Sequence, residues 1–202
     1  MPVLEVTQLR LKGVSAMDPA LLKTLSSARE ALKTNSQFYH CIENPSLIYI
    51  LGLWPSLNAH TEFLASPRKE EILGPQEDQL EFQWAVHMEL DAMSSLPLDA
   101  PVMAITRLLI KENGVDALSQ EVHANHRKAI IEGTRPYKVA DGWRCDPAPG
   151  KHEALMLTGW PNAEAHAAFT AKAKEDAEYA GVRKYYEGME VSHARNMEGT
   201  GP

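Results

Sequence analysis

The sequence has little cysteine: Cys41 and Cys145 are the two thiols in 202 residues. Two cysteines are too few for the disulfide framework that stabilises small secreted domains. They fall in different halves of the chain, each in a segment that we predict to be a strand. This usage is typical of a reducing compartment, so we expect the protein in the cytosol.

Long apolar runs and an excess of positive charge are missing as well. No stretch approaches the roughly 20 apolar residues that a membrane helix needs, and the N-terminal Met1–Glu5 shows no sign of a signal peptide. Lysine and arginine total 20 against 27 acidic residues, which gives a formal net charge of −7. A partner built on a phosphate backbone selects clustered basic residues instead. We therefore expect neither a membrane nor a nucleic acid as partner.

Several motifs that are typical of cofactor binding or of a covalent intermediate are also absent. There is no glycine-rich phosphate loop, no Gly-x-Ser-x-Gly elbow and no Cys-x-x-Cys-His haem attachment. His123 and His126 stand three residues apart in a predicted helix, but no third ligand stands at a convincing spacing beside them. We expect no cofactor and no metal, with non-covalent haem left as a distant alternative.

The feature that the sequence does have is an internal repeat. The segment 51–63 matches the segment 157–169, with Leu, Trp, Pro, Ala, His and Phe at coinciding positions. The same offset of 106 residues carries His87 onto His193. An earlier match, Val6-Thr7 onto Ile105-Thr106, has an offset of 99, a difference that loops absorb easily. The order of the matches predicts a duplication.

Each half shows the same order of elements. Strand-like and helix-like patterns alternate as βαββαβ, with turn residues between them. Asp18 before Pro19, Ser56 and Asn162 are the predicted N-caps of helices. The predicted strands are 4–12, 37–43, 47–54 and 80–91 in the first half and 102–111, 137–145, 153–160 and 188–197 in the second, and the predicted first helices run over 18–34 and 115–132.

We therefore predict an α+β protein made of two ferredoxin-like βαββαβ repeats that form an intramolecular pseudo-dimeric α+β barrel. The first repeat covers residues 1–92 and the second covers residues 102–202. The segment 93–101, with two prolines and two serines, is the predicted linker. A homodimer of this fused chain is a candidate assembly.

The motif Trp54-Pro55-Ser56-Leu57-Asn58-Ala59-His60, with its second copy from Trp160, resembles the strand-to-helix junction of the dimeric α+β barrel superfamily. The resemblance is to antibiotic-biosynthesis-monooxygenase-like domains, with two copies fused as in some fungal proteins. It implies a small-molecule cavity between the sheet and the helices of each half. Members of that superfamily include cofactor-free monooxygenases, haem-degrading enzymes and polyketide cyclases, so the resemblance does not choose a reaction.

His87 and His193 are the predicted catalytic residues. Strand alternation predicts that one side of the last strand of the first half, with Trp84, Val86 and Met88, packs on the helices, which places His87 on the other side. A histidine in a semi-polar cavity can act as general acid or base near neutral pH. The alternative is a core histidine with its hydrogen bonds satisfied.

Other residues on predicted strands are candidates for lining a cavity. His60 and His166 we interpret as junction histidines that pack against the tryptophans, with a proton donor as the alternative. The predicted substrate-binding residues are Tyr39, Tyr49, Trp54, Arg107, Tyr137 and Trp160.

Two functions remain open. One is a cofactor-independent monooxygenase or cyclase acting on an aromatic or polyketide-like metabolite, in which a histidine removes a phenolic or α-carbonyl proton. The other is a non-catalytic protein, of the small-molecule-binding or stress-related kind, that uses the same cavity.

Overall fold

The computed structural model describes residues 1–118, 121–176 and 181–199, with the side chains of 117, 118 and 121–126 outside that description. His123, Asn125 and His126 thus have no described side chains. The chain divides into two compact units. Unit 1 comprises Met1–Met93 together with the residues from Ala194 onward, and unit 2 comprises Ser94–His193.

Unit 1 contains four strands of its own and three helices. Its strands stand in the order β4, β1, β3, β2, all antiparallel, and the end of a later strand, β8, pairs with β2. This order is that of a ferredoxin-like fold. The elements are β1 (Val3–Leu11), α1 (Pro19–Leu32), β2 (Gln37–Cys41), β3 (Leu47–Trp54), α2 (Leu57–Leu64), α3 (Arg68–Leu73) and β4 (Leu80–Glu89).

Unit 2 has a corresponding order of strands. Its strands stand in the order β8, β5, β7, β6. The elements are β5 (Val102–Ile110), α4 (Val115–Leu118), α5 (Glu121–Thr134), β6 (Val139–Trp143), β7 (His152–Trp160), α6 (Ala163–Ala173) and β8 (Tyr186–Asn196). The last three residues of β8 belong to unit 1.

The predicted helix caps are confirmed. Asp18 accepts a hydrogen bond from the backbone N–H of Ala20 at 2.8 Å, and Pro19 follows it in the first turn of α1. Ser56 and Asn162 cap α2 and α6 in the same way, by accepting from the backbone N–H three residues ahead. Because each cap comes directly after Trp-Pro, the motif fixes where its helix leaves the sheet.

The apolar core of each unit lies between its helices and one face of its sheet. In unit 1, Leu21 and Leu25 of α1 pack with Phe38 and Ile48 of the sheet. In unit 2, Ile130 of α5 packs with sheet residues that include Leu108 and Met156. Among the described residues, no helix has both the length and the apolar character needed to cross a bilayer.

The predicted orientation of β4 is wrong. His87 contacts His60 of α2, so the side of β4 that faces the helices is the one with His87. Val86 and Met88 lie on the opposite side, and both are fully buried. Apolar residues mark the helix-facing side only when the other side meets water, and here both sides of the strand carry buried residues.

The boundaries of several predicted elements also change, two of them by more than a residue or two. The strand expected over 137–145 is shorter and leaves Tyr137 outside, in the turn before β6. The helix expected over 115–132 is described as α4 and α5. Strand ends are weakly specified by pattern alone, because turn residues on either side can extend or shorten the pairing.

Candidate functional site

Two buried histidines meet in unit 1. His60 comes from the first turns of α2, and His87 comes from β4 at the position paired with Glu5 of β1. His60 Nδ1 lies 2.7 Å from His87 Nε2, and each residue is 5% exposed. One imidazole therefore donates a hydrogen bond to the other.

A carboxylate completes this unit-1 cluster, which we define as Glu5, Trp54, His60 and His87. Trp54 Nε1 donates to Glu5 Oε2 at 2.5 Å, and Thr7 Oγ1 donates to Glu5 Oε1 at 2.5 Å. His60 Nε2 lies 3.5 Å from Glu5 Oε2, and the indole of Trp54 stacks on the His60 ring with 4.5 Å between centroids. The carboxylate is thus held by two neutral donors beside the histidine pair.

Unit 2 has a histidine pair with the same geometry. We define the unit-2 cluster as Thr158, Trp160, His166 and His193. His166 Nδ1 lies 2.8 Å from His193 Nε2, and Trp160 stacks on His166 at 4.7 Å. Trp160 Nε1 donates to Thr158 Oγ1 at 2.7 Å. Ala104, which pairs with Thr158, stands where the unit-1 register has Glu5 paired with Gly52.

A cavity adjoins the unit-2 cluster. Its volume is about 70 Å³, and its walls are mainly apolar. His166 and Trp160 form part of the wall, Thr106 and Thr158 add hydroxyl groups, and Arg183 adds a cationic side chain. The remaining lining residues are Leu108, Ile130, Met156, Phe169, Thr170, Tyr186, Met189 and Val191.

This cavity has room for several waters or for the edge of a small ring. A site of about 10–15 Å³ on this measure holds one water, and a cavity of about 150 Å³ holds benzene. Met189 is 44% exposed and Val191 is 36% exposed, so the wall reaches the surface on that side. A ligand larger than a few atoms would extend outward past these two side chains.

The predicted site residues fall into separate places. Trp160 lies in the cavity wall, and His193 lies behind it, bonded to His166. Trp54 and His87 belong to the unit-1 cluster. Arg107 pairs with Glu153 at 2.5 Å and with Glu190 at 3.0 Å. Neither Arg107 nor Tyr137 is among the described residues that line the cavity.

Tyr39 and Tyr49 face each other across β2 and β3 in unit 1, and each is 1% exposed. Gln8 Nε2 donates to Tyr49 Oη at 2.9 Å. The Tyr39 hydroxyl has no hydrogen-bond partner among the described residues. Burial raises the pKa of Tyr39 to about 12, and the neighbouring Asn196 amide opposes this effect without reaching hydrogen-bond geometry.

Replacing Tyr39 with phenylalanine should stabilise the protein. Removal of an unpaired buried hydroxyl is expected to raise the free energy of unfolding by about 1 kcal/mol. In the folded protein the pKa of Tyr39 lies above the ordinary value of 10.0. Ionisation of Tyr39 therefore has no effect on the free energy of unfolding below pH 10 and lowers it as pH rises from 10 towards about 12. Urea unfolding of both proteins near neutral pH and at alkaline pH measures this difference. An equal alkaline loss in Tyr39→Phe would contradict the assignment.

Sequence reasoning missed Glu5 entirely and ranked His60 and His166 below His87 and His193. A signal was present, because His60 and His87 are 27 residues apart and so are His166 and His193. Two residues that recur in both halves with the same separation between them are candidates for direct contact. Glu5 had no such signal, because the second half has alanine at that place in the register.

Comparison with solved structures supports the fold. No known family profile matches the sequence, and no curated protein is detectably similar in sequence. A candidate monooxygenase from Lactobacillus acidophilus NCFM superposes with a TM-score of 0.60 at 10% identity, over 97% of this chain and 94% of that one. An anthrone oxidase-like protein gives 0.62 at 12% identity, over 96% and 91%.

A haem-binding protein from Thermus thermophilus gives a TM-score of 0.61 at 10% identity, over 96% of this chain and 90% of that one. Likenesses at such low identity establish a shared fold and nothing about activity. This chain therefore shares the α+β fold of these solved structures.

Proposed function

We propose that the chain binds a small, partly aromatic molecule in the unit-2 cavity and removes a proton from it with His166, which starts a cofactor-independent oxidation or cyclisation. The observation that carries this proposal is the position of His166: its ring forms part of the cavity wall while its Nδ1 bonds to His193 Nε2. This places the base on α6 and makes His193 a positioning residue.

The hydrogen bond between the two rings can run in either direction, and the proposed reaction uses the direction in which His166 donates. When His166 Nδ1 carries the hydrogen and donates it to His193 Nε2, the remaining ring nitrogen of His166, Nε2, is an acceptor that can take a proton. Trp160 stacks on the same ring and limits its rotation. An imidazole held in this way, in a mainly apolar wall, meets the requirements for a general base near neutral pH.

Proton removal suffices to start either reaction. In an oxidation, an activated CH2 group becomes a carbonyl: one atom of O2 remains in the product, the other leaves as water, and all four electrons come from the substrate. No reduced cofactor is needed for that balance. In a cyclisation, the same carbanion attacks a carbonyl carbon of the same molecule. The name of the anthrone oxidase-like neighbour favours the oxidation.

Duplication is part of this proposal. It is supported by the matched motif at Trp54 and Trp160 and by the matching geometry of the two clusters. Under this interpretation the halves have diverged: unit 2 retains a cavity beside its histidine pair, and unit 1 has a carboxylate there. A fused barrel, residence in the cytosol and a homodimer of the fused chain remain predictions.

Haem, which one neighbour binds, fits the unit-2 cavity poorly. A macrocycle of four pyrroles is much larger than a three-ring aromatic ligand, and coordination by His166 would bring its centre to a cavity of about 70 Å³. Trp160 already covers one face of the His166 ring. The proposed reaction uses no haem.

A non-catalytic binding protein is the second candidate. The observation that favours it is the unit-1 pair, which has the same geometry as the unit-2 pair while being 5% exposed. A histidine pair that is this buried can stabilise the fold without taking part in a reaction. The two candidates agree on ligand binding and differ in turnover.

Oxygen uptake with anthrone as probe distinguishes them. We expect the purified protein to consume one O2 per anthrone, to yield anthraquinone, and to do so faster than the spontaneous reaction at the same pH. Quenching of tryptophan fluorescence by anthrone would report binding, and weaker quenching in Trp160→Phe would assign the site to Trp160 among the four tryptophans. Binding with no acceleration supports the second candidate, and neither binding nor acceleration would contradict both for this class of ligand.

A further inference from the structure

A second set of reactive side chains lies in unit 1. One donor atom each from Glu5, His60 and His87 can be chosen so that all three lie within 4.8 Å of one another. The two histidines are 5% exposed, and the Glu5 side chain is 18% exposed. We propose that these three side chains bind one Zn²⁺ ion.

The donor types suit this ion. Two imidazole nitrogens and one carboxylate oxygen are a recurrent zinc ligand set, and three protein ligands leave the fourth tetrahedral position for water or another small ligand. Imidazole also favours zinc over magnesium and calcium, which prefer all-oxygen sites. The proposed occupant is therefore a transition-metal dication.

Glu5 is oriented as a metal-binding carboxylate usually is. Thr7 Oγ1 donates to one of its oxygens and Trp54 Nε1 to the other. Such outer hydrogen bonds fix the direction of a ligand and keep its charge in place. Since Trp54 also stacks on His60, the same indole positions two of the three ligands.

Unit 2 shows that the histidine pair does not require this carboxylate. There the pair forms at 2.8 Å and the tryptophan donates to Thr158, with Ala104 at the place in the register that Glu5 has in unit 1. A largely buried carboxylate is costly unless a positive charge balances it. Among the described residues, the ion-pair partner of Glu5 is His60, at 3.5 Å. A divalent cation would provide that balance.

The two histidine nitrogens need to move little on binding. Zn–N bonds of about 2.0–2.1 Å in a tetrahedron place two ligand nitrogens about 3.3 Å apart. His60 Nδ1 and His87 Nε2 are now 2.7 Å apart, so a Zn²⁺ ion held by these two nitrogens requires them to separate by about 0.6 Å. The hydrogen between them moves to the other nitrogen of its own ring, and each imidazole stays neutral.

The test is a zinc titration of the whole chain after treatment with a chelator and its removal. We expect calorimetry to show one Zn²⁺ per chain, and Co²⁺ in its place to give the visible bands of a tetrahedral site. Glu5→Gln should lower zinc affinity about 100-fold or more, and Thr7→Val about tenfold. Circular dichroism of the metal-free variants establishes that they are folded.

The matched control is His193→Gln, which disrupts the histidine pair of unit 2, where Ala104 has the register position of Glu5. Its zinc affinity should equal that of the original protein. The proposal is overturned if the original protein binds no stoichiometric zinc, or if folded Glu5→Gln binds as tightly as the original protein. Should Glu5→Gln fail to fold, unchanged affinity in folded Thr7→Val overturns it in the same way.

Discussion

Replacing His166 with glutamine should lower the rate of the proposed reaction by about 100-fold to 10,000-fold, the range for loss of a general base. The reason is its position: His166 is the titratable member of the cluster that forms part of the cavity wall, while His193 bonds to it from behind. Glutamine keeps much of the volume and can still bond to His193, but it cannot accept a proton at neutral pH. The measurement is kcat for anthrone oxidation.

His193→Gln should act differently, because in the proposed reaction His193 accepts the hydrogen bond from His166, and His193 is not among the described residues that line the cavity. We expect kcat to fall, by less than in His166→Gln, with KM nearly unchanged. His152→Gln is the control: His152 is a half-buried histidine of unit 2 that bonds to Glu112, and both rate constants should stay as they were. Equal rates for His166→Gln and His152→Gln would rule out His166 as the base.

Gly159→Ala should cost about 3 kcal/mol of folding stability, at the upper end of the usual cost of overpacking. A methyl group added to Gly159 in β7 would lie 2.5 Å from Tyr137 Cβ and 2.8 Å from the Cβ atoms of Pro97 and Ala100. These atoms are fixed to the backbone, so they cannot rotate away. The strand or its neighbours would have to move, and the cluster next to Trp160 would move with them. Urea unfolding measures the change.

Gly181→Ala is the matched control in the same unit. An added methyl group there meets no atom of the described residues within 4 Å. We expect a stability change within about 0.5 kcal/mol, as for most surface substitutions. If Gly159→Ala were equally mild, the close approach of Tyr137 and Pro97 to the β7 backbone would be wrong.

The order of the elements could be predicted from the sequence because it depends on short-range signals. Asp18, Ser56 and Asn162 are caps whose partners lie two or three residues ahead, and all three are found as expected. The repeat then extended each local prediction from one half to the other. The α+β character followed from that order.

The site could be predicted only in part, because its contacts join residues far apart in the chain. Which side of β4 faces the helices depends on what covers the other side. The alternation of Trp84, Val86 and Met88 gives no information about that cover. Glu5 contacts Trp54 across 49 positions, and no repeat marks it. A pattern identifies a residue's type and spacing, and the sheet register decides what it touches.

Strand β8 carries a consequence for biosynthesis. Its last residues pair with β2, Met197 joins the core of unit 1, and Glu198 binds Arg29 of α1 at 2.6 Å. The first strand of that core leaves the ribosome about 190 residues before these partners do. A chain made from its N-terminus therefore cannot finish its first unit in order. Until Glu198 has been synthesised, the edge of β2 that later pairs with β8 is exposed and can pair with another strand. A chaperone that covers this edge would prevent that mispairing.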